Sequence, residues 1–153
     1  AHLTAQLAIA QGARVLAMTR GECNRELARR VGAVFVGDAT AVPPTPVDAA
    51  IVFAPAGELV PLALEATRPG GTVVLAGIHM TAIPAMDYAR DLFRERDLRT
   101  VTANTRADGA AFLRLAQSLR LTPRVTRYAF ADTGAALDEL RSGRAAGSLV
   151  IGF

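Results

Sequence analysis

The stretch VDAAIVFAP, residues 47–55, constrains the fold more than any other. It is apolar almost throughout, broken only by Asp48 before its closing proline, and it follows a loop punctuated by Pro43, Pro44 and Pro46. A strand with one wet face alternates, whereas an unbroken apolar run reads as a strand buried on both faces. Both faces are then covered by helices, and the strands of such a sheet run parallel.

The rest of the chain fits that demand. Residues 2–11 read as a helix with Leu3, Leu7 and Ala10 along one face and Gly12 as its stop. RVLAM (14–18) reads as a strand, NRELARRVGA as a helix that Gly32 stops, and AVFV (33–36) as a strand. After residues 47–55 come a helix over 57–68 with Pro61 in its first turn, the breaker Pro69-Gly70-Gly71, the strand TVVLAGI (72–78), a polar helix around MDYARDLFRER and the strand LRTVTAN (98–104). Strands alternating with helices imply right-handed crossovers and a doubly wound, Rossmann-like parallel sheet. Counted from Arg14, the strands fill the second to sixth places of the order 3-2-1-4-5-6, so the first, central strand is expected from residues upstream. The uncapped start of the first helix points the same way.

Beyond Asn104 the pattern changes. A helix capped at Asp108 carries Phe112, Leu115, Ala116 and Leu119 on one stripe, and RVTRYAF alternates like a half-solvated strand. A helix from Asp132 places Ala136, Leu137 and Leu140 inward and stops at Gly143, and SLVIGF closes the chain as a strand. This tail reads as a separate α+β segment.

Composition excludes several function classes. The net charge of +3 comes from 17 arginines scattered among 14 acids, with no basic stripe and few aromatics, which argues against nucleic acid. Cys23 is the single cysteine and His2 and His79 the only histidines, so no internal disulfide forms and a Cys/His zinc cluster is not expected within the chain. A reducing cytoplasm fits that cysteine usage. The first apolar stretch is interrupted by Gln6, Gln11, Gly12 and Arg14 and reads as neither leader nor membrane span.

The segments AHLTAQLAIAQGARVLAMTR, RELARRVGA, VDAAIVFAPAG, RPGGTVVLAGIHM, TANTRAD and ALDELRSGRAAGSLVI, in this order, resemble the medium-chain dehydrogenase/reductase family, in particular its zinc-type alcohol dehydrogenase branch. The resemblance covers essentially the whole chain and implies a nucleotide-binding domain over 1–103 and a returning segment of the catalytic domain over 104–153. It also implies hydride transfer between a dinucleotide and an alcohol or aldehyde. The family's glycine-rich turn and catalytic zinc ligands have no counterpart here, so zinc is expected only in the full-length enzyme, and no catalytic or metal-binding residue is assigned in this chain. Two alternatives stand beside it: a zinc-free NADPH-dependent quinone or enoyl reductase of the same superfamily, and a non-catalytic dinucleotide-binding paralogue.

The cofactor-binding candidates lie at strand ends. Thr19 and Arg20 sit at the tip of the strand after which dinucleotide folds recognise the adenosine ribose. An acid there accepts ribose hydroxyls, whereas arginine offers a fork of donors to a 2′-phosphate. With Arg25 one turn into the next helix, the set favours NADP(H) over NAD(H). The bland alternative is a solvated arginine, with Glu22 pairing with Arg20 or taking the ribose itself. Ala54, Pro55 and Gly57 end one strand, and Ala76, Gly77 and Ile78 end the next. By resemblance these turns face the nicotinamide ribose and ring, and Ala103 with Asn104 meets the carboxamide through the backbone. The resemblance also makes homo-oligomerisation through the sixth-strand edge plausible.

Weaker candidates are read blandly. His79 is more simply a loop hydrogen-bonder than a proton carrier, His2 begins a helix, and Cys23 is an exposed loop thiol. Ser148 stands where relatives often carry a basic residue for the pyrophosphate, with Arg144 four residues earlier. The helix DYARDLFRER, 87–96, reads as a solvated face paired at i, i+3 and i, i+4 spacing.

Overall fold

A computed structural model describes residues 1–102 and 104–153. In chain order it holds α1 (His2–Ala10), β1 (Leu16–Met18), α2 (Glu22–Arg30), β2 (Phe35–Gly37), β3 (Val47–Val52), α3 (Leu59–Ala66) and β4 (Thr67–Leu75). These are followed by β5 (Asp97–Thr100), α4 (Arg106–Ser118), β6 (Val125–Ala129), α5 (Thr133–Arg141) and β7 (Ser148–Gly152). The chain divides into two compact units, Ala1–Asp38 with Gly109–Phe153, and Ala39–Asp108. All strand pairs are parallel, in the orders β1-β2, β3-β4-β5 and β6-β7. No helix among the described residues is long and apolar enough to cross a membrane.

In the first unit the helix stops fall where the sequence places them. Gly12 and Gly32 have φ of +89° and +97°, and their N–H groups donate to Ile9 O at 2.9 Å and Arg29 O at 3.0 Å. Glycine enters this left-handed conformation without steric cost and closes the last turn on its own carbonyls. α1 buries no residue, and Ala10, expected on its inner face, is exposed. Polar contacts add to its partly buried apolar side chains. Gln6 Nε2 donates to Thr122 O and Gln6 Oε1 accepts from Thr122 N, both at 2.9 Å, while His2 Nε2 accepts from Arg124 N at 3.3 Å. His2 and Gln6 are one turn apart, so one helix face reads the backbone that leads into β6. Along β6 exposure alternates as expected for a half-solvated strand. On α5, Ala136 is buried, but Leu137 and Leu140 are exposed and line a shallow cleft of about 140 Å³ with Thr133, Leu149 and Ile151.

The second unit carries the larger core. Val52, Val60, Leu64, Val73 and Leu75 are buried together, backed by Met80, Met86, Leu92 and Leu98. Pro61 lies in the first turn of α3, where its missing N–H deprives the helix of nothing. The stretch 47–55 departs from the expectation of burial on both faces. It pairs only with β4, and Asp48, Ala49 and Ile51 are exposed, leaving Val52 as its buried member. The strand is therefore an edge among the described residues.

Two further expectations are corrected. Pro69-Gly70-Gly71 does not precede a strand but lies within β4. Val47 pairs with Thr67 and Ala49 with Thr72, so the extra residues bulge out, with Gly70 at φ +72°. The strand ends at Leu75, so Ala76–Ile78 lie beyond it, not within it. The polar helix of 87–96 is a single π-type turn, Tyr88–Leu92, and its Asp91 is fully buried. Arg90 grips the Asp91 carboxylate with Nε at 2.7 Å and Nη2 at 3.0 Å, and Asp87 N donates to it at 2.9 Å. Arg96 spans to Thr67 O at 3.1 and 2.9 Å. Burial of the charge is affordable only because these donors surround it. The cap of α4 is likewise Thr105 rather than Asp108. Thr105 Oγ1 accepts from Asp108 N at 3.1 Å, and the Asp108 carboxylate accepts from Thr105 N at 2.9 Å, a reciprocal capping box.

Candidate functional site

β1 is short, and Thr19 continues its ladder by one bond, from Thr19 N to Gly37 O at 3.1 Å. The chain must then turn sharply into α2, and Gly21 permits this with φ +79° as the helix N-cap. Between them Arg20 is exposed, and among the described residues its guanidinium has no ion-pair partner. Arg25 differs. Its Nε donates to Glu22 Oε2 at 2.9 Å, its Nη1 to Asp38 Oδ2 at 3.0 Å, and a longer contact of 3.4 Å reaches Thr19 O. Glu22 is also bound by Arg29 at 2.6 Å. Hydrogen bonds from Arg29 and then Arg25 hold the Glu22 carboxyl below the usual carboxylate range.

Arg25 and the Thr19 carbonyl are therefore brought together, while the Arg20 side chain makes no hydrogen bond or ion pair among the described residues. Among the described residues Glu22 pairs with Arg25 and Arg29, and no pair with Arg20 forms. Sequence reasoning missed Asp38, which directly follows β2 and pairs with Arg25 of α2. Its position just past a strand end was the available signal, but the pairing depends on the parallel register of β1 and β2. Cys23 is exposed within the first turn of α2 rather than in a loop.

In the second unit the turns after β3 and β4 meet. Ala76 N donates to Val52 O at 2.9 Å, and Gly77 packs so closely that a Cβ there would lie 3.1 Å from Ala54 O and 3.2 Å from Phe53 O. Gly57 is tighter still, since a Cβ would stand 2.3 Å from Ala82 O and 2.5 Å from Thr81 O. Gly57 is thus required by backbone approach, and Gly77 sits in a tight contact that a side chain would press on by a few tenths of an ångström. Thr81 fastens the arrangement: its Oγ1 accepts from Gly57 N at 2.8 Å and its N donates to Pro55 O at 3.2 Å. Ile78 is 78% exposed, and His79 beside it is exposed with φ +59°. Asn104 is exposed, and Ala103 lies outside the described residues.

At the chain's far end Ser148 N donates to Arg124 O at 2.8 Å, so that residue serves the β6-β7 pair. Tyr128 donates to Glu139, which raises the tyrosine pKa. Among the described residues no three His, Cys, Asp or Glu side chains converge as a metal site, so the donor set here does not fit a zinc ion.

Comparison with known proteins converges on one group. Residues 1–118 match the model of the zinc-binding dehydrogenase family. The chain is 48% identical over 151 residues to a probable alcohol dehydrogenase AdhA of Mycobacterium tuberculosis (strain CDC 1551 / Oshkosh), covering 99% of this chain and 44% of that protein. The acetophenone reductase of Geotrichum candidum NBRC 4597, solved with NAD, shares 26% identity at a TM-score of 0.77 over 96% of this chain and 43% of its own. The alcohol dehydrogenase of the hyperthermophilic archaeon Aeropyrum pernix shares the fold at 21% identity, with a TM-score of 0.82 over 98% of this chain and 46% of its own. The chain spans less than half the length of each. Its mixed α/β architecture with parallel sheets resembles the Rossmann-like nucleotide-binding domain of such enzymes.

Proposed function

Since the chain belongs to the zinc-binding dehydrogenase family, we propose that it is the dinucleotide-holding portion of an alcohol dehydrogenase that moves hydride between an alcohol or aldehyde and NADP(H). When bound, the nicotinamide supplies or accepts the hydride. The chain's own residues bind and orient. In this reading residues 1–103 form the nucleotide-binding domain, 104–153 belong to the catalytic domain, and the metal is held by other parts of the intact protein.

The observation that carries the cofactor assignment is Arg20, an exposed cation at the tip of β1 with no ion-pair partner among the described residues. A planar guanidinium fork suits the oxygens of a 2′-phosphate, and Thr19 adds a hydroxyl beside it. Arg25 contributes mainly by position. Its charge is balanced by Glu22 and Asp38, so it fixes the turn around Thr19 more than it attracts an anion. The same contacts disfavour NAD, because a Glu22 engaged by two arginines is poorly placed to accept ribose hydroxyls. Ala54, Pro55, Gly57, Ala76, Gly77 and Ile78 are assigned to the nicotinamide ribose and ring, and Ala103 with Asn104 to the carboxamide. A reducing cytoplasmic setting and assembly into homo-oligomers through the β5 edge belong to the same reading.

Titration of the intact protein with NADPH and NADH tests it, alongside alcohol oxidation with each oxidised cofactor. Tighter binding of NADPH is expected. Equal affinities would overturn the cofactor assignment, and no turnover of any alcohol or aldehyde with either would overturn the activity.

A further inference from the structure

Among the described residues, the Thr81 side chain ties the turn after β3 to the loop after β4. We propose that it is a positioning residue for the cofactor face of this unit, an inference that rests on the assignment of turns 54–57 and 76–78 to the nicotinamide. Gly57 is buried, and its N–H has Thr81 Oγ1 as its partner at 2.8 Å. A buried N–H left without an acceptor is costly, so the hydroxyl determines where the turn can rest. Thr81 N returns a bond to Pro55 O at 3.2 Å, and the hydroxyl makes a longer contact with Glu58 Oε2 at 3.4 Å. Pro55 and Gly57 of the turn, and Glu58 at the N-cap of α3, are thereby held by one threonine.

Neighbouring packing makes the position exact in one direction only. The carbonyls of Thr81 and Ala82 sit where a Gly57 Cβ would be, which blocks approach, but contact alone does not stop the loop from lifting away. The hydrogen bonds oppose lifting. Gly77 likewise packs on Ala54 O and Phe53 O, so the turns after β3 and β4 lie against one another where the Thr81 bonds act.

The test compares wild-type, Thr81→Val and Thr81→Ser forms of the intact protein by amide exchange across 54–58 without cofactor and by NADPH titration and steady-state kinetics. Valine keeps the shape and removes the acceptor, and serine restores it. In Thr81→Val, exchange at Gly57 accelerates, dinucleotide Kd and KM rise about tenfold, and kcat stays within about threefold. Thr81→Ser recovers both readouts. Faster exchange at Gly57 with unchanged dinucleotide affinity would overturn the positioning role and leave the cofactor reading standing. Unchanged exchange would show that the hydroxyl does not hold the turn and would also overturn it. A wild-type protein that binds neither NADPH nor NADH would overturn the cofactor reading itself, and the proposal with it.

Discussion

The guanidinium of Arg25 lies 3.0 Å from the carboxylate of Asp38, which ties the first turn of α2 to the end of β2. With Glu22 on its other edge, Arg25 is electrically satisfied, and Arg20 is left as the unpaired cation of that strand tip among the described residues.

This division predicts unequal effects of two substitutions. Arg20→Glu replaces donors with a repelling charge and should weaken NADPH binding about tenfold to a hundredfold while leaving NADH within about threefold, read by fluorescence titration. Arg25→Gln removes two largely exposed ion pairs and should cost about 1 kcal/mol of stability or less, with a smaller effect on NADPH than Arg20→Glu. A larger loss of NADPH affinity from Arg25→Gln would reverse the roles.

Two glycines should respond to alanine in opposite directions. At Gly57 the added methyl meets fixed backbone at 2.3 Å, and the variant should lose about 1–3 kcal/mol in urea unfolding. Gly109 lies inside α4 with nothing within 4 Å of its would-be Cβ, so alanine there should add about 0.5–1 kcal/mol through helix propensity.

Asp91 makes stability depend on acid. The Arg90 hydrogen bonds beside it, with help from the Asp87 amide, hold its folded pKa below the ordinary aspartate value of 3.8, against the opposing effect of burial. A depressed folded pKa means that this stabilisation is complete above the unfolded value and is lost as pH falls through the folded one. Thermal midpoints should therefore drop steeply below about pH 4, and Asp91→Asn should lower the midpoint at neutral pH while flattening that acid limb. An Asp91→Asn acid limb as steep as the wild type's would refute the assignment.

Gln6→Ala removes both bonds to the Thr122 backbone. The Thr122 amide should then exchange faster, with a stability loss of about 1–2 kcal/mol seen in chemical denaturation. Gln6→Glu keeps the acceptor and should preserve the protection of the Thr122 amide better than alanine does.

What the sequence makes legible is local. Gly12, Gly32 and Gly143 stop their helices because a left-handed residue is a requirement of the backbone itself, readable without knowing any neighbour. Pro61 is tolerated for a similarly local reason. The misread elements are those decided at a distance. Pro69-Gly70-Gly71 is read as a breaker, yet pairing of Thr67 with Val47 carries the strand across it. Residues 87–96 have the composition of a solvated face, and only the reach of Arg96 to Thr67 and the clasp of Arg90 reveal that Asp91 is interior. At the site, the strand-tip position of Arg20 is visible in the pattern, whereas Asp38 and Thr81 emerge only when strand ends are placed side by side.

Because Arg20 projects into water, whatever anion it draws is drawn across a medium full of competing ions. Screening at physiological salt acts over about 8 Å, so the pull of this single exposed charge fades with ionic strength in a way that a buried receptor's would not. The choice between phosphorylated and unphosphorylated nucleotides then belongs in part to the surrounding electrolyte, and the same polypeptide should discriminate more sharply in dilute buffer than in brine.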